Sequence, residues 1–224
     1  MSPAAPAAVL SALKVQADAQ LWHPALVALF AAQGAALPLR ADVEVVTHHG
    51  AAFRLDDSPD VITARHVVAG SRAVTVDGQP AALIWEDRRA DLAILRPASP
   101  LGAPLRLGEV PPVGAPLTAL GFGGGLGLQT ALGALLGVVQ RQLGEADGVW
   151  LDTTCEVRPG FSGGPLLAGD AVIGVVVGGR ETAGEPHGPA IALPVHRLRG
   201  AWDRRPRAPR WPDAASLRRD AGLP

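Results

Sequence analysis

The chain is poor in cysteine, in net charge and in long apolar runs, and each shortage excludes a class of protein. A single cysteine, Cys155, excludes an internal disulfide, so packed side chains have to hold the fold. A formal net charge of -1 provides no general field that would attract nucleic acid or an acidic membrane. The longest apolar run near the N-terminus, residues 25–32, is far shorter than the roughly 20 residues of a membrane-spanning helix. We therefore expect neither a nucleic-acid partner nor a membrane span.

The composition that remains favours an all-β protein. Hydrophobic residues make up 48% of the 224 residues and charged residues 18%, which excludes intrinsic disorder for the bulk of the chain. The 27 glycines and 21 prolines interrupt long helices and suit short strands joined by turns. The length fits one compact domain with appendages.

The two ends of the chain differ from its middle. Residues 1–40 predict an N-terminal helical extension, because four residues recur there at helical spacing: Val9, Leu13, Gln16 and Ala17. Residues 201–224 are basic and rich in proline, and we expect them to form an extended or loosely docked tail. Residues 21–32 offer a short apolar region for export, but little positive charge precedes it and no cleavage pattern follows. A cytoplasmic location is therefore favoured over export.

Between these ends, two sets of β-rich runs are separated by a Pro- and Gly-rich bridge at residues 97–116. The first set predicts strands at 43–46, 61–63, 73–76, 81–84 and 92–95. The second set predicts strands at 117–120, 132–140, 149–153, 165–168, 172–177 and 191–193. Two successive strand clusters of similar length indicate two packed sheets or two barrels.

The most informative segment surrounds Ser162, in Arg-Pro-Gly-Phe-Ser-Gly-Gly-Pro at residues 158–165. A nucleophilic serine needs a tight turn, an accessible Oγ and backbone N–H groups aimed at a developing oxyanion. Gly160 permits a positive φ, which would let its N–H and that of Ser162 converge. By itself the segment is equally typical of a glycine-rich turn between two strands.

Two further segments carry a possible base and its partner. His66 follows the β-rich run 61–63, and an imidazole is the simplest general base near neutral pH, although a lone histidine is often a core or turn residue. Asp91 directly precedes the apolar run 92–95, where a carboxylate needs a partner. That partner is a histidine Nδ1–H or an arginine such as Arg89 or Arg65.

The three segments occur in the order His, Asp, Ser and resemble the trypsin-like serine proteases, specifically the HtrA/Deg branch. The segments at 50–53, 120–123, 173–179 and 190–195 also resemble that family. The resemblance implies a protease domain at 41–200 made of two six-stranded antiparallel β-barrels, about 41–104 and 110–195, with a short C-terminal helix. It places the site in the cleft between the barrels.

The same resemblance assigns roles to individual residues. Ser162 would be the nucleophile, His66 the base and then the acid, and Asp91 the group that orients the imidazole. The N–H groups of Gly160 and Ser162 would hold the oxyanion. The resemblance implies a serine endopeptidase that acts on polypeptide substrates and needs no cofactor or metal.

The substrate pocket would be lined by Val157, Val177 and Gly179. Apolar walls of this size favour a small or medium apolar side chain before the cut over Lys or Arg. Glu156 would reverse this preference if its side chain pointed inward. Oligomeric state has no signature in the sequence.

The chain also departs from the HtrA pattern, and the departures keep other functions open. Phe161 stands where relatives usually carry Asn or Asp, and Glu156 and Arg158 replace residues that are commonly smaller or uncharged. A catalytically silent protease-like domain that binds polypeptide is therefore an alternative, and esterase or acyl-transfer activity is a weaker one. Only 24 residues follow Gly200, which is too few for the PDZ domain that HtrA proteins typically carry.

Metal and nucleotide sites are not predicted. His48 and His49 are adjacent, so they would point to opposite faces of a strand. The remaining candidate ligands lack the spacing of a zinc site: Cys155, Glu185, His187 and His196. The glycine-rich segment 121–127 lacks the Lys-Ser/Thr of a phosphate-binding loop.

Overall fold

The computed structural model describes residues 13–14, 39–42, 47–71, 73–125, 127–180 and 188–206. Within these residues nearly all regular structure is strand, in two sheets. The first sheet contains β1 (Leu13–Lys14), β2 (Leu39–Asp42), β3 (Thr47–His48), β4 (Ala51–Arg54), β5 (Val61–Ala64), β6 (Ala73–Val76), β7 (Gln79–Asp87) and β8 (Leu92–Pro97). The second contains β9 (Arg106–Leu107), β10 (Pro116–Gly121), β11 (Gln129–Leu143), β12 (Ala146–Val157), β13 (Pro165–Ala168), β14 (Ala171–Gly179) and β15 (Gly188–Pro194).

The first sheet is a half-barrel with the strand order β1-β4-β5-β8-β7-β6-β2-β3. Only His49 and Gly50 separate β3 from β4 in the chain. The strand at one end of this order, β3, is therefore covalently connected to β4 near the other end. Strands β5 and β8 pair antiparallel through Ile62 and Ile94, and their apolar residues are buried on both faces of the sheet. This double burial explains why both strands read as continuous apolar runs rather than as alternating ones.

The second sheet closes into a six-stranded antiparallel barrel. Its strands follow the order β10-β11-β12-β15-β14-β13, and β13 pairs back with β10 through Thr118 and Leu167. The short strand β9 adds to β14 in parallel. Closure satisfies the backbone groups of every strand in the ring and leaves no free edge. The predicted architecture of two β units is therefore confirmed, with full closure by strand pairing in the second.

In the described part of the chain, two α-helices accompany the sheets: α1 (Arg65–Val68) and α2 (Val195–Arg204). Helix α2 is the predicted C-terminal helix, and it buries Val195, Leu198, Ala201 and Trp202. These residues lie at spacings of three and four, so one face of the helix packs against the barrel. Helical structure thus extends through Arg204, and residues 201–204 do not belong to the tail that the sequence predicted from residue 201.

The structure corrects the N-terminal expectation where it describes the chain. Leu13 and Lys14 form a strand rather than a helix, because they pair with Ala52 and Ala51 along the outer edge of β4. The free backbone groups of that edge outweigh local helix propensity, which is a weak preference. Residues 39–40 belong to β2 rather than to an extension. The rest of 1–40, the predicted strand at 43–46 and residues 207–224 lie outside the described residues.

Candidate active site

His66 and Asp91 meet at one end of the first sheet because their strands are neighbours. His66 lies in α1, directly after β5, and Asp91 directly precedes β8. The His66 Nδ1 lies 2.6 Å from Asp91 Oδ2, and the His66 backbone N–H donates to Asp91 Oδ1 at 2.8 Å. A third bond joins the Arg65 N–H to the Asp91 carbonyl at 2.9 Å. The carboxylate therefore holds the imidazole by its Nδ1 edge and leaves Nε2 for another partner.

This geometry selects one of the partners that the sequence left open for Asp91. Arg65 turns away and pairs with Glu86 at 2.9 Å and with Glu145 at 3.3 Å. Arg89 contributes backbone groups only: its carbonyl accepts hydrogen bonds from the Asp147 N–H and from the Arg197 guanidinium. The histidine is therefore the side chain that pairs with Asp91.

Ser162 lies in the turn between β12 and β13, on the second sheet. Backbone bonds fix the turn on both sides: the Gly163 N–H donates to Val176 O at 2.7 Å, and the Gly164 N–H donates to Phe161 O at 2.9 Å. The Ser162 hydroxyl donates to the Val177 carbonyl at 3.4 Å. Among the described residues, no hydrogen bond joins Ser162 to His66.

Ser162 and His66 nevertheless face the same cavity, which has a volume of about 470 Å³. His66 comes from the first sheet and Ser162 from the second, so this cavity lies at the junction of the two β units. The structure therefore brings the predicted alcohol and imidazole to one site, although they are 96 positions apart in the chain. The Asp91 carboxylate reaches this site through His66.

The predicted oxyanion donors lie on a tight turn beside Ser162. The Phe161 N–H donates to the Arg158 carbonyl at 3.1 Å, and Gly160 has a φ of +105°. Pro followed by a residue of positive φ is the pattern of a type II turn. In the part of the chain that the structure describes, neither the Gly160 N–H nor the Ser162 N–H donates to a protein acceptor. A Cβ at Gly160 would overlap the Phe122 carbonyl oxygen, so only glycine fits there.

Phe161, the departure noted in the sequence, anchors this turn from inside the second barrel. Its side chain is buried, and it belongs to the apolar cluster that includes Leu117 and Leu166. The ring lies against Gly121, where an added Cβ would be 2.6 Å from the Phe161 Cγ. Phe161 therefore anchors the turn through apolar packing, at a position where HtrA-type and trypsin-like proteases usually carry Asn or Asp.

The predicted pocket residues line the same cavity. Val157, Val177 and Gly179 all face it, and the two valines are largely buried. Gly179 packs against Val157, whose Cγ2 would be 3.4 Å from a Cβ at that position. Glu156 is exposed and does not line the cavity, so its carboxylate does not point into the pocket.

Two arginines that the sequence analysis did not assign to the pocket also line the cavity. Arg158 is exposed at its rim, and Arg180 lies 3.4 Å from Asp152 through its Nε, without hydrogen-bond geometry. No carboxylate lines this cavity among the described residues. Arg180 directly follows β14, the strand that lines the pocket, and its position in the sequence could have indicated that it also lines the cavity.

A second cavity of about 350 Å³ lies on the other side of His66. It shares His66, Val177 and Gly179 with the first cavity, so the two cavities adjoin at these residues. The β11–β12 hairpin borders it with residues 143–146. The tip of this hairpin reaches the first sheet, where Glu145 pairs with Arg65. The sequence predicted strands at 132–140 and 149–153 but not the contact that their hairpin makes, because that contact spans 80 positions.

Other kinds of site are not found in the described part of the chain. No group of three His, Cys, Asp or Glu side chains there could hold a metal ion. None of the helices described is long and apolar enough to cross a membrane. Cys155 is buried, and burial raises the pKa of its thiol. That thiol is therefore not a competing nucleophile.

Two β units with a His–Asp pair on one and a serine turn on the other define a chymotrypsin-like peptidase architecture. A family model described as the trypsin-like peptidase domain matches residues 50–178. The chain belongs to this family, and it is a serine protease. No curated protein matches the chain in sequence.

Solved structures show the same fold. The Rv3671c protease from M. tuberculosis, in its active form, is 24% identical with a TM-score of 0.68, and the match covers 76% of this chain and 80% of that one. The HtrA-type protease AlgW with tripeptide is also 24% identical, with a TM-score of 0.65, covering 75% and 58%. A serine endoprotease from Yersinia pestis is 20% identical, with a TM-score of 0.62, covering 74% and 60%. The fold is therefore that of the HtrA-type proteases, and the described residues contain no PDZ domain.

Proposed function

We propose that this chain is a serine endopeptidase that hydrolyses peptide bonds through an acyl-enzyme formed on Ser162. The observation that carries the proposal is the 2.6 Å contact between His66 Nδ1 and Asp91 Oδ2, on the wall of the cavity that Ser162 also faces. This contact leaves Nε2 to exchange protons with the nucleophile and with the leaving group.

In the first half of the reaction, Ser162 Oγ attacks the carbonyl carbon of the scissile peptide bond and its proton passes to His66 Nε2. The negative charge that develops on the carbonyl oxygen meets the unpaired N–H groups of Gly160 and Ser162. The C–N bond then breaks, and Nε2–H donates its proton to the leaving amine. Asp91 remains ionised and stabilises the imidazolium.

In the second half, water attacks the Ser162 ester, with His66 again taking and returning the proton. Before the first step, Ser162 has to exchange its weak bond to the Val177 carbonyl for one to His66. Rotation of the Ser162 side chain would release the Val177 carbonyl, and hydrogen bonds of catalytic groups are often long before substrate binds. The released products are a carboxylic acid and an amine, so no cofactor is required.

Polypeptides are the proposed substrates. The solved protease AlgW is described with a tripeptide and with a decapeptide, and the site of this chain has two adjoining cavities that could hold an extended peptide. We propose a small or medium apolar side chain before the cut, because Val157, Val177 and Gly179 line the cavity. Arg158 and Arg180 add positive charge, which disfavours Lys or Arg there.

One observation favours a second function. The Ser162 hydroxyl donates to Val177 rather than to His66, and a serine that remained in that position would be inert. The chain would then be a silent protease-like domain that binds polypeptide in its cleft. The two functions differ in whether Ser162 reacts.

A serine-directed fluorophosphonate probe separates them. We expect the parent protein to be labelled, Ser162→Ala to be unlabelled, and the matched surface variant Ser99→Ala to be labelled like the parent. Digestion of casein and of a peptide library would then show endopeptidase activity and the preferred side chain. Absence of labelling in folded parent protein, or labelling that persists in Ser162→Ala, would contradict catalysis by Ser162.

A further inference from the structure

The glycine-rich segment 121–125 has no role in the mechanism described above, and it lacks the residues of a nucleotide-binding loop. After β10, residues Gly123–Gly125 form a short 3-10 turn, in which Gly124 has a φ of +66° and a ψ of 17°. This turn lies against the Arg158–Phe161 turn. The two turns come from different parts of the second barrel, and backbone hydrogen bonds join them.

Two hydrogen bonds fix the carbonyl groups of the central residues of the second turn. The Gly124 N–H donates to Pro159 O at 3.1 Å, and the Phe122 N–H donates to Gly160 O at 3.0 Å. The first of these bonds holds the peptide group between Pro159 and Gly160. We call this bond, from Gly124 N–H to Pro159 O, the Gly124 latch.

The orientation of that peptide group decides where the Gly160 N–H points. In a trans peptide the C=O and N–H point in opposite directions. A carbonyl held towards Gly124 therefore turns the Gly160 N–H away from the glycine segment. Type I and type II turns differ in the orientation of this peptide group. The ψ angle of the residue before it, here Pro159, is about -30° in a type I turn and about +120° in a type II turn. Loss of the latch would remove the hydrogen bond that holds this peptide group in the type II orientation.

We propose that Gly124 is a positioning residue for catalysis: the Gly124 latch keeps the Gly160 N–H available to the developing oxyanion. The inference rests on the proposed function, since it concerns the transition state of that reaction. Gly124 lines neither of the two cavities, so its action would pass through Pro159. The glycine run is thus a scaffold for the oxyanion turn.

The neighbours of Gly124 support this role. Gln129, at the start of β11, donates through Nε2 to the Gly123 carbonyl at 3.1 Å and ties the segment to the barrel. An added Cβ at Gly123 would be 2.5 Å from the Arg158 Cγ, so a larger residue there would displace the exposed Arg158 side chain from this turn. Gly124 favours glycine for a different reason. Space around it is open, but its φ is in the left-handed region.

The chain offers a matched control for a test at Gly124. Gly169, in the turn between β13 and β14, has a φ of +62°, and an added Cβ there would also meet nothing within 4 Å. Gly124→Val and Gly169→Val therefore introduce the same side chain at two positions that share a similar positive φ and open surroundings. A β-branched residue is disfavoured there, so both variants should lose similar stability.

We expect only Gly124→Val to impair the reaction. Loss of one oxyanion donor lowers kcat about 10²–10³-fold, so a partial loss should reach at least ~10-fold, with KM for a peptide nearly unchanged. Affinity for a peptide aldehyde, which forms a tetrahedral adduct, should fall in parallel with kcat. Gly124→Asn should restore most of the activity, because asparagine tolerates a positive φ.

A second pair of variants covers the case in which Gly124→Val does not fold. Gln129→Glu removes the donor to Gly123 without changing its size, and Gln140→Glu introduces the same charge at an exposed position of the same strand, away from both cavities. We expect kcat to fall several-fold in Gln129→Glu and to stay at the parent value in Gln140→Glu. An active parent in which Gly124→Val or Gln129→Glu loses no more kcat than its control would overturn the latch. A folded parent that neither turns over peptide nor reacts with the probe would instead overturn the proposed function.

Discussion

The backbone N–H of Ala51 donates to the carbonyl of Ser162 at 2.7 Å. Ala51 lies in β4 of the first sheet and Ser162 on the second, so this bond joins the two β units at the nucleophile itself. Thr63 continues the connection, since its hydroxyl donates to the Ala51 carbonyl at 2.8 Å. The relative position of serine and histidine therefore depends on a direct contact between the sheets.

Gly50 tests that contact. An added Cβ at Gly50 would be 2.7 Å from the Val67 Cγ1 and 2.8 Å from the Ser162 carbonyl oxygen, and both atoms lie in packed surroundings. Gly50→Ala should therefore separate the sheets at the active site. We expect a loss of about 1–3 kcal/mol in the free energy of unfolding, together with a fall in kcat. Urea titration and peptide kinetics measure the two effects.

The contrasting variant for Gly50 is Gly200→Ala, in helix α2. A glycine-to-alanine change inside a helix is stabilising by roughly 0.5–1 kcal/mol, and this position is remote from the cleft. Gly200→Ala should therefore gain stability without changing kcat. A Gly50→Ala protein with parent stability and parent kcat would show that the two sheets tolerate displacement at this point.

The Asp91 carboxylate is predicted to be essential to the base. Asp91→Asn keeps the shape of the side chain but favours the wrong imidazole tautomer, and in a related protease the corresponding change costs about 10⁴ in kcat. We expect a comparable loss here, with an unchanged circular dichroism spectrum. Asp170→Asn is the control, because Asp170 is exposed and pairs with the exposed Arg106. Activity within tenfold of the parent in Asp91→Asn would show that His66 does not depend on this partner.

The arginines of the cavity are predicted to exclude basic side chains. Replacing Arg180 by Gln removes one positive charge from the cavity lining and leaves the largely buried Asp152, 3.4 Å away, without its cationic neighbour. We expect kcat/KM for a peptide with Lys before the cut to rise about tenfold relative to its Met counterpart, and the increase to shrink at high salt. Arg199→Gln, which removes an exposed charge on α2, should leave the ratio unchanged. An unchanged Lys/Met ratio in Arg180→Gln would place this arginine outside substrate recognition.

Asp77 predicts a pH dependence of stability. Burial raises its pKa to about 7 from an ordinary value of 3.8, so the folded state binds this proton more tightly than the unfolded state. The free energy of unfolding therefore falls as pH rises from about 4 to about 7. Asp77→Asn removes the ionisation and suits the Asp77-Gly78 hairpin turn, where both residues have positive φ. Its Tm should exceed that of the parent by more at pH 8 than at pH 5, and an equal difference at both values would contradict the raised pKa.

Most of the strands could be predicted because their signals are local. The runs at 61–63, 92–95, 117–120 and 172–177 are apolar and bounded by turn residues, and each forms a strand. The serine turn and its glycines were also readable, since a tight turn leaves a residue signature. Leu13 and Lys14 were predicted as helix and are strand, because their partner, the edge of β4, lies almost 40 positions away.

Residue types, order and turn chemistry were determined by the sequence alone: a histidine after one strand, an aspartate before another and a serine between glycines. Distances between these groups were decided by the tertiary structure, because strand pairing and barrel closure act between residues that are far apart in the chain. The same holds for the direction of the Pro159–Gly160 peptide, which a hydrogen bond from a separate glycine segment fixes. Local propensities restrict the secondary structure that each segment can form. Packing between distant segments decides which of them come into contact.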